Sequence, residues 1–155
     1  IKFGCQDYLE DGSGFTIEEG KQVAQTIEKE GVSLIEISHG RIEKTFRKRG
    51  LKITAPENEA YMLEAAKAIR SAVSIPLCLV GGMRSIPVIE NILNEGIVDM
   101  VSLCRPFIRE PELVKRLKKG EKAEVDCISC WGCINPDKEG KNHVFCRQLH
   151  KKKTE

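Results

Sequence analysis

The chain predicts an α/β fold, the carboxyl-terminal half of a TIM-type (β/α)8 barrel with about four strand–helix units, followed by a cysteine-rich tail. Three observations predict it. Short branched runs bounded by glycine alternate four times with segments whose apolar residues recur at helical spacing, the pattern of parallel strands joined by crossover helices. Gly81-Gly82 and Arg105 follow the last two strands rather than an early one. A doubly wound sheet carries its phosphate loop after an early strand, whereas a (β/α)8 barrel commonly carries it after strands seven and eight. Four units ending in this way form the second half of a barrel.

Ile1-Lys2-Phe3-Gly4 is the first strand, and the Asp-Gly and Ser-Gly pairs between Asp7 and Gly14 favour turns. Thr16 and Glu19 have capping-box spacing, Val23, Ala24 and Ile27 share one helical face, and Gly31 stops the helix. Val32 to Ser38 is short and branched, hence a strand. The charged stretch from His39 to about Glu57 exceeds a typical connection, which points to function or mobility. Tyr61, Met62, Ala65, Ala66 and Ile69 form the apolar stripe of a second helix ending near Ser71. Pro76 to Val80 is the third strand. Ser85 caps a third helix whose Ile89, Ile92 and Leu93 face inward and which Gly96 ends. Asp99 to Leu103 is the fourth strand, and Glu110 to Lys119 is a last helix with acids at its start and bases at its end.

Composition sets the outer bounds. A chain of 155 residues, 41% hydrophobic, can bury a core as one domain or part of a larger one. No apolar run approaches the roughly 20 residues needed to span a bilayer. The amino terminus has neither an initiator Met nor a signal-peptide layout, which predicts a cropped chain from a cytoplasmic protein. The net charge of +2 is spread in both signs and gives no reason to expect nucleic acid. Arg47-Lys48-Arg49 and Lys151-Lys152-Lys153 read as solvated loop and tail. Seven cysteines is an odd count, and the clustered ones read better as ligands than as disulfides. A compositional break near Gly120-Glu121-Lys122 divides the chain into a β/α part, 1–120, and a tail, 121–155.

The chemistry collects at strand ends. Gly81-Gly82 either makes a tight strand-to-helix turn or lets a ligand approach the backbone, and the N–H groups at Ser85 can face an anion. Arg105, at the end of the neighbouring strand, is a charged fork shaped for phosphate. His39 follows a strand, where barrel active sites gather, but reads as a solvated loop residue. His143 and His150, in the tail, are weaker candidates.

Lys2 to Gly12, Gly31-Val32 leading into Ile35-Glu36-Ile37-Ser38, Val80-Gly81-Gly82, and Asp99 to Phe107, taken in that order, resemble the carboxyl-terminal half of the old yellow enzyme family. These are flavin-dependent NADH or NADPH oxidoreductases and include the bacterial dienoyl-CoA reductase branch. The resemblance covers nearly the whole chain and implies strands five to eight of a barrel that holds FMN at its strand ends. It places Lys2 near the pyrimidine end of the flavin, where Arg is more usual; Lys keeps the charge without the planar fork. It places Gly81 and Gly82 in the phosphate loop after strand seven, and Cys104 and Arg105 on the phosphate pair after strand eight. A small residue is common where Cys104 stands, so its thiol reads as packing, as do Cys5 and Cys78.

The reaction implied passes hydride from NADH or NADPH through FMN to an electron-poor alkene or similar small-molecule acceptor. The substrate-gripping and proton-donating residues belong to the family's first half, so no catalytic acid is assigned here. The missing half, or a second copy, is the expected partner.

Cys127, Cys130, Cys133 and Cys146 make a four-thiolate set suited to zinc or an iron–sulfur cluster, with free or redox-active thiols as the third option. The dienoyl-CoA reductase branch has a similar tail that binds a [4Fe–4S] cluster. Here the third cysteine comes one residue early. Two other readings use the same residues: a non-catalytic zinc-binding scaffold, and a barrel enzyme acting on a sugar phosphate.

Overall fold

The computed structural model describes residues 1–43, 53, 55–133 and 144–151. Its core is a four-stranded parallel sheet in sequential order, β1 (Lys2–Gly4), β2 (Ile35–Ser38), β3 (Leu77–Val80) and β4 (Met100–Ser102). Parallel neighbours require crossovers, and helices supply them. The first is α1 (Ile17–Lys29), the second α2 (Leu63–Arg70), preceded by a 3₁₀ turn at Pro56–Asn58, and the third α3 (Ile86–Asn94). After β4 come α4 (Arg105–Arg109), α5 (Leu113–Lys118) and, in the tail, α6 (Arg147–Lys151). Among the described residues no helix is long and apolar enough to cross a membrane.

Strand alternation sorts the side chains. Ile35, Ile37, Leu77 and Leu79 are fully buried against Ala24, Ala65, Ala66, Ile69, Ile89 and Ile92 of the helices. The intervening positions occupy the opposite face. In register, Lys2, Glu36, Cys78 and Met100 form one row, and Ser38, Val80 and Ser102 lie two residues further along. One face is therefore dry and helix-covered, the other mainly polar and open, as in a barrel wall whose inner side holds a site.

Local signals act largely as expected. Thr16 Oγ1 accepts from the Glu19 N–H at 3.3 Å while the Glu19 carboxylate accepts from the Thr16 N–H at 2.8 Å, completing the capping box of α1. Far from the strand ends, Arg70 on α2 donates to the Ile97 and Ile75 carbonyls and pairs with Asp99 at 2.5 Å. Asp99 in turn accepts from the Leu77 N–H at 2.8 Å, locking the entries of β3 and β4 together. That hydrogen bond first, and then Arg70, holds the Asp99 carboxyl below its usual range.

The structure departs from expectation in several places. β2 starts at Ile35, three residues later than Val32, and α2 starts at Leu63, because Ala60 adopts φ +50 and turns the chain just before it. The short α4 and α6 have no counterpart in the sequence pattern, being five residues each. Ser85 occupies the cap position of α3 but its hydroxyl does not cap; it donates to Glu59 at 2.9 Å. Glu59 also accepts from the Arg84 and Ser85 N–H groups at 2.6 and 2.9 Å. This carboxylate occupies the helix start, so those N–H groups do not await an anion. Arg47-Lys48-Arg49, most of the loop that contains them, and His143 lie outside the described residues, as do the side chains of His150 and Lys151-Lys152-Lys153.

Candidate functional site

The carboxyl ends of the strands open into a cavity of about 360 Å³. Lys2, Gly81, Gly82, Cys104 and Arg105 all line it, whereas Ser85 does not. The volume is at the low end of the roughly 300–1,000 Å³ typical of small-molecule sites, as fits a cavity walled by four strands.

The glycine pair has two reasons to be glycine. Gly81 and Gly82 have φ +130 and +77, conformations that side chains rarely adopt. A Cβ on Gly82 would also lie 2.6 Å from Ile53 Cδ1 and 2.8 Å from the Tyr61 ring. The ring therefore packs against bare backbone, and the tight-turn reading holds. It leaves the ligand reading intact, because the N–H groups of Gly82, Cys104 and Arg105 donate to no acceptor among the described residues, whereas that of Gly81 closes the β3–β4 ladder. Buried Nη1 of Arg105 likewise has no hydrogen-bond partner. Unmet donors around one cavity are a demand for an anionic acceptor. The phosphate of FMN fits that demand.

Lys2 is engaged on the inner face. Its ammonium pairs with Glu36 at 2.8 Å, and the Ser102 hydroxyl donates to the same carboxylate oxygen at 2.8 Å. Lys2 foremost, with Ser102 behind it, lowers the Glu36 pKa against a smaller opposing effect of burial. The row thus delivers a cation to the cavity through a side chain that is already paired.

Other residues frame the mouth. His39 lines the cavity, and its Nδ1–H donates to the Gly40 carbonyl at 2.9 Å. Asp7 accepts from the Arg41 N–H at 2.6 Å and the Phe15 N–H at 3.1 Å, pinning the loop after β1 to the loop after β2. These bonds hold the Asp7 carboxyl below its ordinary 3.8. Burial raises the Tyr61 phenol, an effect that the nearby Arg105 charge partly reverses. Cys5 and Cys78 are buried as expected, and burial pushes the Cys5 thiol up to about 11. Cys104 is not: the chain leaves β4 there to enter α4, and its side chain is exposed, so packing does not describe it.

Cys127, Cys130, Cys133 and Cys146 line a second, small cavity of about 20 Å³ together with Arg105, Arg109, Trp131 and Arg147. Arg109 Nη1 lies 3.9 Å from Cys146 Sγ, and Gln148 Nε2 lies 3.7 Å from Cys130 Sγ. Among the described residues no three metal-binding side chains are gathered closely enough to hold an ion. The thiols face one space without closing on it, and ligation would have to draw them inward. Burial foremost raises the Cys133 thiol above its ordinary range, against the lowering effects of its own backbone hydrogen bond and of the Arg105 charge.

Sequence reasoning missed Tyr61 and Trp131. Tyr61 looked like part of an apolar helical stripe, yet it sits before α2 and covers the glycines. Trp131 stacks on Arg105, with the guanidinium carbon 4.2 Å from the ring centre, and lines both cavities. Its place inside the cysteine motif was the available signal.

Known proteins share the sequence pattern and the fold. Residues 1–124 match the family profile described as NADH:flavin oxidoreductase / NADH oxidase. An NADH oxidase of Thermoanaerobacter brockii is 34% identical over 136 residues, 86% of this chain and 20% of the relative. A bilirubin reductase of Mediterraneibacter gnavus is 30% identical over 82% of this chain and, again, 20% of the relative. The chain thus spans about one fifth of the length of these relatives. Among solved structures, a 2-naphthoyl-CoA reductase in complex with 2-naphthoyl-CoA superposes with a TM-score of 0.65 at 22% identity, over 93% of this chain and 21% of that one. That likeness identifies the four strand–helix units as part of a TIM-type barrel. With the profile covering four-fifths of its length, the chain belongs to the NADH:flavin oxidoreductase / NADH oxidase family.

Proposed function

We propose that this segment is the carboxyl-terminal half of an FMN-binding barrel in a cytoplasmic NAD(P)H-dependent oxidoreductase. The observation that carries the reading is the set of unmet donors at the strand ends: the N–H groups of Gly82, Cys104 and Arg105 and Nη1 of the Arg105 guanidinium, whose residues line one cavity. These residues hold the FMN phosphate. Lys2, on the same cavity wall and paired with Glu36, would lie toward the pyrimidine end of a bound flavin, where its charge would favour an anionic ring. When bound, FMN supplies the hydride chemistry between NADH or NADPH and an electron-poor alkene or similar acceptor. Residues 1–120 carry this site and residues 121–155 form the cysteine tail. The first half of the barrel supplies the substrate-gripping and proton-donating groups.

Cys127, Cys130, Cys133 and Cys146 are the ligands we assign to a [4Fe–4S] cluster, with zinc as the competing occupant; the cavity they share supports the assignment. Bound there, a cluster would supply one-electron transfer beside the flavin barrel. Membership of a flavin oxidoreductase family weighs against the scaffold and sugar-phosphate readings.

An anaerobic ultraviolet–visible spectrum of the full-length parent protein, with iron, sulfide and zinc assays, tests both parts. Flavin bands with about four irons per chain are expected. Flavin without iron would retain the barrel assignment and remove the cluster, and the absence of both would overturn the reading.

A further inference from the structure

Arg105 and Trp131 line both the strand-end cavity and the cysteine cavity, so this pair is the wall between them. The guanidinium lies 4.2 Å from the indole centre, within range for face-on stacking. Such stacking engages the face of the guanidinium and leaves its N–H edge for an acceptor. Nη1 is buried and has no hydrogen-bond partner among the described residues.

The turn that carries the indole is well defined. Ser129 and Trp131 adopt φ +53 and +60, and Ser129 is buried. Non-glycine residues persist in that region where their surroundings over-determine the backbone. A Cβ added to Gly132, next in the chain, would lie 3.4 Å from Arg147 Cδ, so the Arg147 side chain flanks the turn from the other side.

We infer that Trp131 is a positioning residue for Arg105: it holds the guanidinium by one face, so that its N–H edge meets a phosphate group bound at the strand ends without first being ordered by it. An unrestrained arginine would lose its rotamer freedom on binding; here the cysteine-bearing turn has already removed it. The inference rests on the phosphate reading given above.

The test uses the full-length parent protein stripped of flavin, with FMN and riboflavin affinities followed by flavin fluorescence. Riboflavin lacks the phosphate. Trp131→Ala is expected to weaken FMN binding about three- to thirtyfold, the range a cation–π contact spans, and to leave riboflavin binding unchanged. Trp131→Phe, which keeps an aromatic face, should retain most of the FMN affinity. Undiminished FMN binding in Trp131→Ala would overturn the inference. So would an equal loss for both ligands, since it would mark general damage to the fold. If the parent binds no flavin, the flavin reading fails on its own, and inorganic phosphate measured by calorimetry becomes the probe. Weaker phosphate binding in Trp131→Ala would then support the role of Trp131, and equal or absent phosphate binding would overturn it.

Discussion

At the scale of single residues, Asp7 shows how one carboxylate can order a site without touching a ligand. Its two oxygens accept from Arg41 and Phe15 backbone N–H groups, and these bonds lower its pKa. A depressed carboxylate stabilises the fold fully above its unfolded value, 3.8, and that contribution is lost as pH falls through the folded value. Stability of the parent protein, followed by urea denaturation against pH, should therefore decline below about pH 4. Asp7→Asn should be less stable at neutral pH and show a shallower acid decline; an unchanged slope would mean other carboxylates dominate. The sequence placed Asp7 in a turn, yet one of its partners, Arg41, lies on the loop after β2. That Gly81, Gly82 and Arg105 would meet at one cavity was legible because they follow adjacent strands, whose carboxyl ends a parallel sheet brings to one side. Tyr61 was not, because an aromatic residue beside a helix resembles any other core residue until the backbone turns at Ala60.

Elements follow their local signals where the signal and its partner are close in sequence. The Thr16–Glu19 box spans one helical turn, and it formed. Ser85 shows the limit: Glu59, 26 residues away, captures its hydroxyl and the N–H groups of Arg84 and Ser85 just before α3. Gly20 is a second case. Within an exposed helix, Gly→Ala gains roughly 0.5–1 kcal/mol. In α1, however, Gly20 is buried and a Cβ there would overlap the Cys5 carbonyl oxygen at the end of β1. Backbone cannot yield as a side-chain tip can. Gly20→Ala should therefore destabilise, by about 1–3 kcal/mol as in other overpacked contacts, and a thermal melt that rises instead would show that α1 can move away from β1.

At the scale of the whole molecule, the four-stranded sheet ends at β1 on one side and β4 on the other. Neither has a further strand partner among the described residues, and Met100 on β4 is 45% exposed on the open face. Unpaired edges recruit strands. The isolated 155-residue segment should thus self-associate in size-exclusion chromatography with light scattering, and a parent protein carrying the other half of the barrel should not show that edge-driven association. A monodisperse monomer of the isolated segment would argue that the edges are protected. The polar inner face belongs to the same picture. Lys2, Glu36 and Ser102 come from three different strands yet share one carboxylate oxygen, an arrangement set by strand register.

By itself the sequence determined the order of strands and helices, the parallel sheet they require, and the clustering of phosphate-type residues after the last two strands. Period, caps and glycine stops act over a few residues, and a chain carries them openly. Tertiary structure decided what each group meets. It filled the start of α3 with Glu59, set Tyr61 against the glycine pair, left Arg105 with an unpaired nitrogen, and stacked Trp131 of the cysteine tail upon it. Those pairings depend on distance in space between residues far apart along the chain, and hydrogen bonding and packing resolve them only once the sheet has brought the strand ends together.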